Sequence, residues 1–229
     1  RCLADLAARV DEEQEAEFHA AWDAFLNDEI GDGVFVSPSR RPAPPQVEWP
    51  EINVNDALHD PDLMLLQQFG AVSGILARVG AKALGVRCNY GVGIMVSQLG
   101  CDIVEMPREQ GNTPTARPLG GIDAIEAAIQ NGMPDLRAGQ GADVFDTGER
   151  FLEAMQRYPV LGRWVALYHP DAQGPIDNAE LAWGSDIFLA FYDCPERVHA
   201  FLDLMTEHYI AFMRKWFDLV PPRGETSTH

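Results

Sequence analysis

Basic residues are scarce in this sequence. Lysine and arginine together number 17, against 35 aspartates and glutamates, so the formal net charge is −18 at pH 7. A surface this acidic repels the phosphates of nucleic acids and of anionic lipid headgroups. We therefore expect no nucleic acid and no membrane as a partner. A small-molecule substrate remains the expected ligand, because net charge does not describe the inside of one cleft.

Cysteines and long hydrophobic runs are also few. The four cysteines are widely spaced and form no CxxC pair, which excludes a disulfide scaffold and favours free thiols. The longest uncharged apolar stretch, residues 63–77, contains two glutamines, a serine and two glycines. It is shorter than the ~20 apolar residues of a membrane-spanning helix. Because no secretory leader opens the sequence, we expect a cytoplasmic protein.

Two regions with different patterns divide the 229 residues. Residues 1–59 combine a helical pattern of apolar residues with a loop at 37–50 that holds five prolines, which favour extended backbone. Residues 60–229 begin with Asp60 and Pro61, a typical cap and first residue of a helix. We expect that helix to run to about Val79.

Later helix signals include one long amphipathic helix. Residues 146–149 and 177–180 each have the spacing of a capping box. From Pro195 onward, apolar residues recur at helical spacing on one face. They are Val198, Phe201, Leu202, Met205, Tyr209, Phe212, Met213 and Trp216. His199 and His208 lie off this stripe, so we expect them at solvated or edge positions.

Three short segments have the composition of strands. Residues 161–168 form a continuous apolar run, typical of a buried parallel strand. Residues 83–89 and 101–106 are the other two. Because helices follow these segments, the pattern predicts an α/β fold with parallel strands. We expect residues 84–89 and 161–168 to pair in parallel, with the Phe201, Met205 and Tyr209 face of the long helix packed on them.

Polar side chains follow two of the predicted strands. Asn89 and Tyr90 end the first, and His169, Asp171 and Gln173 follow the second. Ligands in α/β folds bind beyond the C-terminal ends of parallel strands. These five residues are therefore the candidate substrate-binding set, expected to face one concavity. The alternative is a local structural role for these side chains. His169 would form a loop hydrogen bond, Asp171 would be a turn residue, and Asn89 and Tyr90 would simply end a strand.

Three segments in the second half carry a family resemblance. They read YHPDAQGPID at 168–177, WGSD at 183–186 and YDCPE at 192–196, ahead of the long helix. In this order they resemble the uroporphyrinogen decarboxylase superfamily. The run QLGCDIVE at 98–105 is also similar to the family's segment after the first barrel strands. The similarity covers about residues 60–220.

The resemblance implies a (β/α)8 TIM barrel. A complete barrel takes ~250 residues or more, and only a few strand–helix units are visible here. We therefore expect α/β architecture in the form of a partial barrel with an N-terminal helical extension. Residues 60–229 would be the first part of a truncated barrel, and this part alone would be inactive.

Two activities follow from the resemblance, because the superfamily includes tetrapyrrole decarboxylases and corrinoid-linked methyltransferases. The decarboxylase uses an Arg-Gln-Ala-Gly-Arg-Tyr motif, which is absent, and an acid near the first strand ends, where this sequence has Gly91, Val92 and Gly93. The resemblance therefore favours methyl transfer that involves a corrinoid or a related small substrate. The alternatives are uroporphyrinogen decarboxylation in tetrapyrrole biosynthesis and a non-catalytic barrel or binding fragment.

Cofactors and partners follow from the same resemblance. We expect no metal and no cofactor in residues 1–229, and we assign no catalytic residue. Zinc and a corrinoid would belong to the full-length parent, with zinc held by the missing part of the barrel. A corrinoid protein is the expected macromolecular partner.

Overall fold

The computed structural model describes residues 1–31 and 33–222 and shows an α/β protein that is mostly helical. Eleven α-helices, four two-residue strands and a 3-10 turn (Arg108–Gln110) are present in these residues. In chain order they are α1 (Cys2–Arg9), α2 (Glu12–Leu26), α3 (Val54–His59), α4 (Pro61–Leu76), β1 (Gly85–Val86), α5 (Ile94–Gln98), β2 (Ile103–Val104), β3 (Thr115–Ala116), α6 (Gly121–Asn131), α7 (Gly141–Arg157), α8 (Pro159–Trp164), β4 (Ala166–Leu167), α9 (Pro175–Trp183), α10 (Ile187–Asp193) and α11 (Pro195–Leu219). In the described part of the chain, no helix is long and apolar enough to cross a membrane.

Strands β1 and β4 pair in parallel, as the sequence predicts. Gly85 stands opposite Ala166 and Val86 opposite Leu167. The backbone N–H of Ala166 donates to the carbonyl of Leu84 at 2.9 Å, and that of Tyr168 to the carbonyl of Val86 at 3.1 Å. Each strand is followed by a helix, so the pair consists of two β–α units.

The predicted strand at 161–168 is wrong over its first half. Residues 159–164 form α8, which begins with proline at its first position, where a missing N–H costs nothing. The helix packs closely on α7, since a Cβ added at Gly162 would lie 2.8 Å from the carbonyl oxygen of Met155. A short apolar run fits a buried helix as well as a buried strand, and Pro159 at the first helical position favours the helix.

Strands β2 and β3 form a separate pair. Ile103 stands opposite Ala116 and Val104 opposite Thr115, and the two strands run antiparallel. The predicted strand at 101–106 is therefore reduced to two residues, and its partner is not parallel. Over residues 1–31 and 33–222, parallel pairing is confined to β1 and β4, which defines an α/β class without closing a barrel wall.

Helix starts were predicted with mixed success. The Asp60 carboxylate accepts from the N–H of Asp62 at 2.8 Å, which confirms the cap before α4. Residues 146–149 lie inside α7 and cap nothing, so that prediction is wrong. Asp177 is the third residue of α9, where its carboxylate accepts from the N–H of Gly174 at 3.2 Å. The N-cap is therefore Gly174, three residues earlier than the predicted capping box places it.

The long helix α11 spans two hydrophobic clusters. Its first half places Phe201 and Met205 in a cluster with residues of α6, α9 and α10. Its second half places Phe212 and Trp216 in the larger core that contains Val86 of β1. The expectation that this face packs on the strands is therefore wrong for Phe201 and Met205, because helices α9 and α10 cover them. Tyr209 packs against the larger core, which contains Val86.

His208 lies on the buried side of α11, between those two clusters. It has no solvent-exposed surface, so the prediction of a solvated or edge position is wrong. Its Nε2 contacts Oε1 of Gln98, whose Nε2 donates to the carbonyl of Leu136. Burial lowers the pKa of His208 to about 4, which keeps the imidazole neutral at pH 7.

A buried ion pair fastens the proline-rich segment to α2. Arg40 is 4% exposed and Glu15 is 1% exposed. Two guanidinium nitrogens of Arg40 bond the two carboxylate oxygens of Glu15, and its Nη1 donates to the carbonyl of Lys82. The guanidinium also lies 4.1 Å over the ring of Phe18. The segment at 37–50 forms no helix, as its prolines predict.

Removing one partner of this ion pair should destabilise the fold strongly. Glu15→Ala leaves the Arg40 charge buried and unpaired, which typically costs ~3–5 kcal/mol. Urea unfolding followed by circular dichroism measures the loss. Glu13→Ala, an exposed position on the same helix, is the matched control and should change stability by less than ~0.5 kcal/mol. Equal losses in the two variants would contradict a structural role for the pair.

The buried imidazole should make stability depend on pH. Because the pKa of His208 is lower in the folded state than its ordinary value of 6.5, its contribution is complete above pH 6.5 and is lost as the pH falls towards 4. The unfolding free energy should fall by ~2–3 kcal/mol across that window. His208→Gln should remove this component, whereas His199→Gln, at an exposed position, should retain it. An unchanged pH profile in His208→Gln would refute the assignment.

Candidate functional site

Four polar side chains meet at the C-terminal ends of β1 and β4. Nη1 of Arg87 lies 3.3 Å from Oδ2 of Asp171, and its Nε donates to Oδ1 of Asn89 at 3.2 Å. Nε2 of Gln173 donates to the other carboxylate oxygen of Asp171. We call these four residues the strand-end cluster. All four are half-buried, so their polar groups are held in place and remain accessible.

The structure brings together three of the five predicted site residues, namely Asn89, Asp171 and Gln173. Sequence reasoning missed Arg87, although it lies two residues before Asn89 and starts the same loop. Its role depends on an ion pair across 84 residues of sequence, which no local pattern reveals. The signal that could have found it is a charged residue directly after a buried strand.

The other two predicted residues have different surroundings. Tyr90 is buried in the larger core, and its hydroxyl lies 2.8 Å from Oγ1 of Thr147 in α7. Burial raises the pKa of Tyr90 to about 12, so the phenol stays protonated. Nδ1 of His169 lies 2.8 Å from the carbonyl oxygen of Pro170, which is the loop contact considered as its alternative role.

The loop between β4 and α9 is held by one buried amide. Gln173 has a φ of 45°, a left-handed conformation that is uncommon for residues other than glycine. Asn178 of α9 is fully buried, and its Nδ2 lies 2.9–3.1 Å from the carbonyl oxygens of residues 172, 173 and 174. These contacts keep Gln173 in its strained conformation, as surrounding structure must at such positions.

The loop after β1 is fixed by close packing. Gly91 has a φ of 78°, and a Cβ at this position would lie 2.7 Å from the carbonyl oxygen of Pro114. Only glycine combines that conformation with that approach. The loop therefore holds a fixed position beside the segment that leads to β3.

A groove of about 450 Å³ lies beside the strand-end cluster, between α9 and α10. Its lining residues are Val92, Gln173, Ile176, Asp177, Glu180, Leu181, Ile187 and Phe188. Gln173 belongs to both the groove and the cluster. The two charged side chains of the lining are both acidic, and the remaining walls are mostly apolar.

Metal ligation and thiol chemistry find little support in this geometry. Within residues 1–31 and 33–222, no three histidine, cysteine, aspartate or glutamate side chains are grouped to hold a metal ion. The four cysteines are free thiols, as predicted. Burial raises the pKa of Cys88 and raises that of Cys101 to about 11, so both thiols stay protonated and unreactive.

Comparisons with protein-family models, with curated proteins and with solved structures find no match for this chain. The resemblance of residues 168–196 to the uroporphyrinogen decarboxylase superfamily therefore stays a prediction.

Asn178 should position the site loop. Asn178→Ala leaves the carbonyls of residues 172 and 173 without their side-chain donor, whereas that of Gly174 keeps the backbone N–H of residue 178. The loss should cost ~1–3 kcal/mol and speed amide hydrogen exchange in residues 172–174. Mass spectrometry of exchange in the folded protein measures the second effect. Asn131→Ala, at an exposed position at the end of α6, should leave exchange in that loop unchanged. A loop that exchanges equally in both variants would show that the amide does not hold it.

Proposed function

We propose that this chain is the first part of a uroporphyrinogen decarboxylase-like (β/α)8 barrel enzyme that binds a small molecule at its strand-end cluster. The proposed reaction is methyl transfer involving a corrinoid or a related small substrate, in the cytoplasm. One observation carries the proposal: Arg87 and Asp171 meet where two parallel strands end. That edge is where α/β enzymes bind their ligands.

The partial barrel is the architectural part of the proposal. Strands β1 and β4, followed by α5 and α9, would be neighbouring strands of its wall. Strands from the rest of the parent protein would pair with their free edges, since each strand of a closed barrel has two neighbours. The N-terminal helices α1 and α2 would form the helical extension.

The charges favour a corrinoid over uroporphyrinogen. Uroporphyrinogen carries carboxylate arms, which need guanidinium partners. The cluster has a single arginine, Arg87, and it is already paired with Asp171. The adjoining groove adds the carboxylates of Asp177 and Glu180, which repel such arms. A corrinoid is fringed by neutral carboxamides, which can pair with the amides of Asn89 and Gln173.

In the part of the chain that the structure describes, no three histidine, cysteine, aspartate or glutamate side chains are grouped to hold a metal ion, and the zinc of this proposal belongs to the rest of the parent protein. We therefore assign no step of the reaction to a metal held by these residues. A corrinoid would arrive as a reaction partner on a corrinoid protein and would supply the cobalt that exchanges the methyl group. The role of Arg87 and Asp171 is to hold Asn89 and Gln173 in place, and these two amides bond the carboxamides of the corrinoid.

Ligand binding separates the corrinoid proposal from the decarboxylase alternative. In equilibrium dialysis of the full chain, methylcobalamin should bind at least ~10-fold more tightly than uroporphyrin I, a difference of about 1.4 kcal/mol. Arg87→Met should weaken methylcobalamin binding by roughly the same factor, because it releases Asn89 and Asp171 from their common partner. Lys82→Met, at an exposed position shortly before β1, is the control and should bind methylcobalamin normally.

Two results would overturn the proposal. Tighter binding of uroporphyrin than of methylcobalamin would restore uroporphyrinogen decarboxylation. Binding of neither probe, by a chain shown to be folded, would favour a non-catalytic barrel fragment.

A further inference from the structure

We infer that the groove between α9 and α10 binds a small cationic molecule with an apolar body, such as a quaternary or protonated amine. The cation would be the small substrate of the proposed methyl transfer, and only this assignment rests on the proposed function. Binding of the cation can be measured without any transfer reaction.

The groove has the chemistry of a cation site on one wall. Asp177 and Glu180 are three residues apart in α9, so their side chains lie on the same face of the helix. Both carboxylates line the groove, and none of its eight lining residues is basic. Two negative charges in one concavity favour a ligand that carries positive charge.

The two acids of the groove form no ion pair with a basic side chain in the described part of the chain. Among residues 1–31 and 33–222, Asp171 pairs with Arg87 and Asp62 pairs with Arg150. Within the same residues, neither Asp177 nor Glu180 takes part in an ion pair with lysine or arginine. The Asp177 carboxylate accepts one backbone N–H, from Gly174. Its negative charge therefore remains available to a ligand.

The other lining residues suit the apolar part of such a ligand. Val92, Ile176, Leu181 and Ile187 supply aliphatic surface, and Phe188 adds an aromatic ring that is 59% exposed. A cation over the face of an aromatic ring gains ~0.5–2 kcal/mol. Aliphatic walls, one aromatic ring and two carboxylates together match a quaternary ammonium group better than a strongly hydrated metal ion.

The size of the groove points to a small molecule. Its volume of about 450 Å³ falls within the range of roughly 300–1,000 Å³ that is typical of small-molecule sites. The net charge of −18 raises the local concentration of cations around the whole molecule, which speeds their encounter with the groove.

A pair of isosteric probes tests the charge requirement. Choline and 3,3-dimethylbutan-1-ol have the same shape, but the first carries a quaternary nitrogen where the second has a carbon. In calorimetric titrations of the full chain, choline should bind at least ~10-fold more tightly, and its affinity should fall as salt is added. Equal affinities, or no choline binding by the folded protein, would refute the inference.

Substitutions locate the site within the chain. Glu180→Gln removes one charge without changing the shape of the side chain, so it should weaken choline binding ~5–10-fold and leave the neutral probe unaffected. Glu207→Gln, at an exposed position on α11, is the matched control and should bind choline normally. Phe188→Leu should weaken choline binding ~3-fold through the loss of the aromatic face. Equal effects of the two glutamate substitutions would place choline elsewhere.

The two proposals fail in different ways. Loss of choline binding with methylcobalamin binding retained would refute the cation groove alone. Retained choline binding without methylcobalamin binding would refute the corrinoid function and leave the groove as a cation site.

Discussion

The parallel pairing of β1 with β4 is the constraint on which the rest of the site depends. It brings residues 85–86 beside residues 166–167, about 80 positions away in the sequence. The loops that follow both strands therefore leave the sheet at the same edge. Arg87 and Asp171 can form their ion pair only because of this arrangement, and the groove beside α9 begins from the same loop.

A ladder of two residue pairs cannot sustain itself, since even isolated hairpins are marginal in water. The surrounding helices must hold it. Val86 and Leu167 lie in a core that also contains Phe69 of α4, Phe151 of α7 and Trp216 of α11. Next to this core, the buried pair of Arg40 and Glu15 anchors the proline-rich segment. Helix packing thus fixes the strands, and the strands place the polar side chains.

Local signals in the sequence predicted the parts of the fold that local chemistry determines. Asp60 with Pro61 begins a helix because both residues act on the backbone next to them. The long helix was predicted because its apolar stripe, from Val198 to Trp216, repeats over about five turns. The α/β class and the parallel pair followed from short apolar runs, each followed by a helix.

Features that depend on distant partners could not be predicted in the same way. The short run at residues 161–164 fits a helix as well as a strand, and its packing against Met155 favours the helix. His208 lies off the stripe and is buried because Gln98, 110 residues earlier, provides a partner. Arg87 was missed for the same reason, since its importance arises from Asp171. Asn89, Asp171 and Gln173 were found because strand ends are recognisable in sequence.

Amide hydrogen exchange at Ala166 and Tyr168 tests the central claim most directly. In the parallel ladder, these two N–H groups donate to the carbonyls of Leu84 and Val86. Resolved by NMR in the folded protein, both should exchange at rates close to those set by global unfolding, as core amides do. Exchange as fast as that of an exposed loop amide would show that the two strands do not pair, and the strand-end cluster would then not form as described.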